Sequence, residues 1–245
     1  MNVNINLNNQ PISLGSKARR LTRRLSYGLS KVLRDWNSDP RDSAGHLHFN
    51  EEDPRVFDIG TLINETKFSK TEIQFIYRDF KIKCPNGILT EKALAEIYSH
   101  IFSCGDTELF SKHLFSAMSQ QVSNSLNKSS RLRNEINFKE FLTVLSTLLR
   151  GTLDDRIKWL FYFYDINRDG KISRDEIESL IRCLYDLMGP NVKPQFDDED
   201  KNQHIENVIN RLNLNLHNQL PMGYSDFYNL FSKEKDLIER MLNVY

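Results

Sequence analysis

The run DINRDGKISRDE, from Asp165 to Glu176, constrains this chain more than any other stretch. Oxygen-bearing side chains recur at alternate positions (Asp165, Asn167, Asp169), glycine stands sixth as Gly170, and a long acid stands twelfth as Glu176. A hard divalent cation that takes about six to eight oxygens needs such a tight loop, closed by a residue able to grip with two oxygens at once. In this reading Asp165, Asn167 and Asp169 give the first ligands, Lys171 its main-chain carbonyl, and Ser173 a hydroxyl or a bridging water, while Glu176 closes the site. Gly170 suits a sharp turn that a Cβ would obstruct. Ile172, eighth in the loop, is expected to make a short β-contact with a partner loop.

The flanks support the loop, because a calcium-binding EF-hand needs a helix on each side. Before it, Leu153, Ile157, Leu160, Phe161 and Tyr164 recur at helical spacing; after it, Ile177, Leu180, Ile181, Leu184 and Leu187 do the same. Gly189-Pro190 is expected to end the second helix.

At 245 residues, with 39% hydrophobic residues, 15 Phe and 9 Tyr, the chain can bury a sizeable aromatic core. No run reaches the length of a membrane span, and MNVNINLNNQ lacks an apolar secretory core, so a cytoplasmic protein is expected, with the inner face of the plasma membrane or the nucleus as further locations. Cys84, Cys104 and Cys183 are expected to be reduced thiols, mainly small packing side chains. Asn2 follows Met1, so the glycine required for myristoylation is absent. Residues 1–36 carry Lys17, Arg19, Arg20, Arg23, Arg24, Lys31 and Arg34 against Asp35 alone, a net +6 on a chain whose total charge is zero, which leaves an acidic body at −6.

In chain order, residues 1–56 read as a variable arm and linker. Within it Leu14, Ala18, Leu21, Leu25, Leu29, Val32 and Trp36 mark a basic amphipathic helix over 14–36. Such a helix can lie on anionic lipid, dock in a partner's groove, fold into the protein's own groove, or pack on the core. Ser26, after Arg23-Arg24-Leu25, has the context of a basophilic kinase site. Ser69 and Glu72 form a capping box at the head of a helix through Ile73, Ile76, Tyr77 and Phe80. The loop that follows has the frame of a cation site without its chemistry. With Gly87 sixth and Leu89 eighth, the ligand positions fall on Ile82, Cys84 and Ala93. A second degenerate loop, with Ile136 eighth and Glu140 twelfth, is interrupted by SQQVSNSLNKSSRLRN, expected to be a disordered insertion. After the intact loop, Asp197, Asp198, Glu199 and Asp200 read as a solvated acidic connector. A last degenerate loop places Leu220 eighth, has His217 where an acid belongs, and leaves Asp226 as a distant candidate ligand. Phe227, Leu230, Phe231, Leu237, Ile238, Met241 and Leu242 follow as the last helical stretch.

The expected fold is therefore all-α: four EF-hands in two pairs, over 57–150 and 151–245, preceded by the basic arm. One loop of the four keeps its ligands, so one Ca2+ per chain is expected. The six His have no accompanying nucleophile or metal-ligand spacing, and no Gly-rich phosphate loop is present, so the chain is not expected to be an enzyme.

Residues 57–245 resemble the neuronal calcium sensor superfamily with its recoverin-like fold, and within it the potassium-channel-interacting, or calsenilin-like, branch. The resemblance rests on FSKTEIQFIYRDF, on Cys84-Pro85 with Gly87, on YSHIFSCGD, and on FLTVLSTLLRGTLDDRIKWLFYFYDINRDGKI. It implies an auxiliary subunit of A-type, Shal-class potassium channels, with a hydrophobic groove that holds the channel's cytosolic N-terminal segment. By position, it implies that Ile59, Tyr77 and Lys81 touch the channel's tetramerisation domain. Tyr98, Phe102, Phe115, Phe141, Leu145, Trp159 and Phe163 would line the groove or serve as ordinary core. The chain departs from the family in its fourth loop, which has lost its ligands, and in the insertion. Three further readings follow: a calcium-responsive DNA-binding repressor acting through the Arg-rich arm, a sensing adaptor for another target, and membrane-surface contact through the arm. Homo-oligomerisation is a further expectation.

Overall fold

A computed structural model describes residues 58–125, 134–189, 197–215 and 220–232. The arm with its basic helix and Ser26, residues 126–133 of the insertion, the middle of the last loop and the apolar stretch after Ser232 lie outside the described residues.

The described chain is mainly helical: α1 (Ile59–Glu65), α2 (Lys70–Lys83), α3 (Glu91–Ile101), α4 (Glu108–Ser125), α5 (Phe138–Arg150), α6 (Leu153–Tyr164), α7 (Arg174–Met188), α8 (Asp198–Asn215) and α9 (Tyr224–Ser232). Four two-residue strands lie between them: β1 (Ile88–Leu89), β2 (Ile136–Asn137), β3 (Lys171–Ile172) and β4 (Met222–Gly223). No helix among the described residues is long and apolar enough to cross a membrane.

The helix starts follow from local chemistry. Ser69 accepts from the Glu72 amide while the Glu72 carboxylate accepts from the Ser69 amide, which is the capping box legible in the sequence. Asn137 with Glu140 and Thr152 with Asp155 close the same box at α5 and α6. At its C-terminus α7 ends on Gly189, whose φ of +67° is open to glycine at little steric cost.

Strands β1 and β2 pair antiparallel, Leu89 opposite Ile136, and β3 pairs with β4 in the same way, Ile172 opposite Met222. Leu89, Ile136 and Ile172 are fully buried, so each two-residue ladder is fixed more by its apolar side chains than by its few hydrogen bonds. One buried cluster runs through both halves of the chain, from Leu62 to Phe227.

Three expectations need correction. Residues 119–125 belong to α4 rather than to an insertion, because Ser119, Val122 and Ser123 are buried on its continuing inner face. Asp198, Glu199 and Asp200, solvated as expected at 198 and 199, form the first turn of α8 instead of a connecting loop, with the Asp200 amide donating to the Asp197 carboxylate. Carboxylates there complement the partial positive charge of the helix N-terminus. In the last loop Met222, not Leu220, stands opposite Ile172. Counting from that register, Asp226 takes the twelfth place and Asn215 and His217 the first and third.

Along α7 the two halves meet closely. The Asp106 amide donates to the Asp186 carbonyl at 2.9 Å. A Cβ on Gly105 would lie 1.8 Å from the Leu187 carbonyl oxygen, and one on Gly189 2.0 Å from that of Cys104. Backbone therefore packs on backbone at this seam, at a distance that only glycine allows.

Candidate metal centre

Helix α6 ends at Tyr164 and α7 begins at Arg174, so the loop 165–176 hangs between two helices anchored in the core by Ile157, Leu160, Phe161, Ile177 and Leu180. Its first and last acids point inward: Asp165 is 1% exposed and Glu176 7%. Asn167, Asp169 and Lys171 are exposed and Ser173 is half-buried.

Main-chain N–H groups organise these side chains. The Asp165 carboxylate accepts from the amides of Asp169 and Gly170, each at 3.1 Å. The Asn167 carbonyl oxygen accepts from the Asp169 amide at 2.9 Å, and its side-chain NH2 donates to the Asp169 carboxylate at 3.1 Å. Asp169 in turn accepts from the Lys171 amide at 2.8 Å. Gly170, at φ +81°, turns the chain with no neighbour near the place a Cβ would occupy. Arg168, at φ +64°, holds a left-handed conformation without the freedom of glycine.

Glu176 has a double role. One of its oxygens accepts from the Ile166 and Asn167 amides at 3.0 and 3.1 Å. The other accepts from the Ser173 amide and hydroxyl, both at 2.8 Å, and so closes the capping box of α7. A carboxylate offers about four lone-pair positions, and all of them are used here.

Burial pushes the Asp165 carboxyl above its ordinary range; the Gly170 amide opposes that, while the carboxylates of Glu176 and Asp169 push the same way. A buried acid raised by neighbouring acids is stabilised by any cation that enters among them. The donor set fits a hard divalent cation: carboxylate, amide, hydroxyl and main-chain oxygens in one loop, with no soft sulfur or imidazole. Among the described residues, however, no three His, Cys, Asp or Glu side chains stand gathered as a metal-holding group. The physical reason lies in the loop itself, where the closing carboxylate is directed onto amide N–H groups and three of the five remaining expected ligands, Asn167, Lys171 and Ser173, are of other residue types.

The first loop lacks this chemistry. Ile82 is 64% exposed at the end of α2, Cys84 is buried with its thiol pushed up to about 11 by burial, and Ala93 has no side-chain oxygen. Lys81 donates to the Pro85 carbonyl at 2.8 Å and steadies that turn.

The residues expected to meet a partner fall into three groups. Ile59, Tyr77 and Lys81 are half-buried, Tyr77 resting edge-on against Phe138 at 4.9 Å. Tyr98, Phe102, Trp159 and Phe163 join through Phe110 in one aromatic path between the halves. Trp159 stacks on Phe163 at 5.5 Å, Phe163 meets Phe110 at 5.9 Å, Phe110 meets Tyr98 at 5.1 Å, and Tyr98 stacks on Phe102 at 6.2 Å. Phe115, Phe141 and Leu145 are buried on α4 and α5, Phe141 packing on Phe80 at 5.4 Å. Except for half-buried Phe102, the expected groove lining is closed core here. Trp159 is 1% exposed and its indole N–H has no acceptor among the described residues.

Sequence reading missed the Arg168 side chain, which leaves the loop and donates to the carbonyl and hydroxyl oxygens of Ser116 on α4, both at 2.9 Å. It also missed the capping role of Glu176, although Ser173-x-x-Glu176 carries the capping-box spacing openly. No family model matches the chain.

Proposed function

We propose that the protein is a calcium-binding EF-hand sensor that acts as a regulatory subunit of an A-type, Shal-class potassium channel by holding a channel N-terminal segment. The observation that carries the reading is the loop 165–176, in which Asp165 is buried beside other carboxylates and the side-chain oxygens of Asp165, Asn167, Asp169 and Glu176 each accept from main-chain N–H groups. Asp165, Asn167, Asp169, Ser173 and Glu176, with the Lys171 carbonyl, are the residues that would hold the ion. A divalent cation there supplies the positive charge that the three carboxylates lack.

The two antiparallel ladders support an arrangement of four helix–loop–helix units in two pairs, in which the ion-holding loop is backed by a partner loop that needs no ion of its own. The aromatic path supports the choice of Tyr98, Phe102, Trp159 and Phe163 as the target-facing set, since it joins both halves in one continuous apolar path. Because most of that lining is buried, a target segment enters only if the lining opens. The Trp159 indole N–H, without an acceptor among the described residues, would then gain one from a segment carbonyl.

The experiment is calcium titration by calorimetry, followed by binding of a Shal-class channel N-terminal peptide with calcium and with chelator, read by tryptophan fluorescence. One calcium per chain and saturable peptide binding are expected. No calcium heat would overturn the sensor reading. Calcium binding without peptide binding in either condition would overturn the channel reading and leave the adaptor for another target. A stoichiometry of two would assign the second ion to the last loop, with Asp226 at its twelfth position.

A further inference from the structure

We infer that Arg168 relays the state of the loop 165–176 to helix α4 in the other half of the protein, which makes it a positioning residue for the first half rather than a surface charge. The inference rests on the calcium-loop reading above and adds its route of regulation.

Arg168 sits between two expected ligands, Asn167 and Asp169, so its backbone is joined directly to both. It holds φ +64°, a conformation that costs a non-glycine residue on the order of 1 kcal/mol or more and persists when its surroundings enforce it. The enforcement is visible on both sides. Ahead of it, the Ile166 and Asn167 amides donate to Glu176. Beyond it, the Asp169 and Gly170 amides donate to Asp165. The guanidinium leaves this clamp and grips Ser116 through two acceptors, at a sequence separation of 52 residues.

The clamp depends on the lone pairs that an ion would need. Glu176 has all of its acceptor positions filled, so a two-oxygen grip on a cation requires it to release N–H donors. The Ile166 and Asn167 amides are those that hold the segment leading into Arg168. Losing that acceptor changes the restraint on Arg168, and with it the hold on the α4 carbonyl at Ser116. By reciprocity, a tether that favours the ion-free arrangement lowers the affinity for the ion by the same factor that the ion weakens the tether.

The test uses the full chain and calcium alone, with Arg168→Met to remove the fork at constant length and Arg168→Lys to retain the charge. Two quantities are measured: calcium affinity by calorimetry, and hydrogen exchange of the α4 amides over residues 112–122 with calcium and with chelator. In the unmodified protein calcium should change exchange around Ser116 by about fivefold or more, and Arg168→Met should abolish most of that change while tightening calcium about fivefold to tenfold, the lower end of measured couplings. Arg168→Lys should fall between, since it keeps a donor and a positive charge but on a shorter stem than the Nη2 that reaches both Ser116 acceptors. Unaltered α4 exchange in the unmodified protein, with calcium bound, would overturn the relay without any variant, and so would a calcium-dependent change that survives Arg168→Met in full. Absence of calcium binding would overturn both the loop reading and the relay, and calorimetry separates that outcome from the other two.

Discussion

Glu176→Gln tests the closing residue in two states at once. With chelator present, the change replaces one accepting oxygen by an NH2 group. The favourable orientation keeps the amide oxygen on Ile166 and Asn167 and turns the NH2 toward Ser173, whose hydroxyl can rotate to accept. The Ser173 amide, on a half-buried residue, is then left without its partner. An unpaired donor in such a place costs roughly 1–2 kcal/mol, and loss of a negative charge in the first turn of α7 adds about 0.5 kcal/mol. A total near 2 kcal/mol lowers the melting temperature of a chain this size by about 4–8 °C. With calcium present, loss of a charged two-oxygen ligand should weaken affinity by about tenfold or more. Calorimetric melting in chelator and calcium titration of the same samples read the two effects separately. Unchanged melting in chelator would refute the capping role, and unchanged calcium affinity would refute the ligand assignment.

Other perturbations address other parts of the structure. Gly105→Ala and Gly189→Ala should each destabilise by more than about 2 kcal/mol in urea titrations, because their Cβ atoms would strike the Leu187 and Cys104 carbonyls at 1.8 and 2.0 Å. Gly60→Ala, where the nearest atoms are 3.4 Å away inside helix α1, should instead be neutral or stabilise by up to about 1 kcal/mol. Ile172→Ala should cost roughly 2–5 kcal/mol, since Ile172 is 0% exposed in the β3–β4 ladder. It should also weaken calcium in titration, since it loosens the strand that carries the Lys171 carbonyl. Burial acts to raise the Glu72 carboxyl, but its bonds to Arg150 and Ser69 outweigh burial and hold it below its ordinary value of 4.5. A depressed folded-state value means stability that is present above the ordinary value and lost as the pH falls through the folded one. The stability gap between the unmodified protein and Glu72→Gln, measured in urea at several pH values, should therefore be full near neutrality and close below about pH 4.5.

What could be read in advance, and what could not, divides along one physical line. The capping box at Ser69, the stop at Gly189 and the β-contact at Ile172 depend on neighbours a few residues away, and the structure has all three. The continuation of α4 through residues 119–125 was hidden because its run of Ser, Gln and Asn has the composition of a loop, and only packing of Val122 and the buried serines against the core shows otherwise. The last loop was misaligned for a related reason. With no ligand pattern to count from, its register is set by the partner strand, and Met222 opposite Ile172 moves every position by two. The acids at 198–200 read as a loop because charge alone does not distinguish a loop from the solvated first turn of a helix.

The intact loop was the most legible element and yet held the least visible connection. Its ligand spacing is a local pattern, whereas Arg168 reaching Ser116 is a tertiary contact that no spacing encodes. The same holds for Glu176, whose carboxylate joins loop start, loop end and helix cap through four donors. A residue that closes a site while capping the exiting helix cannot change partners without altering that helix's first turn. The exiting helix α7 carries the altered turn at one end and the Gly189 seam with Cys104 at the other. Helix α7 and the Arg168 side chain therefore give the loop two separate contacts with the first half, and the hydrogen-exchange response of α4 in the Arg168 variants apportions the coupling between them.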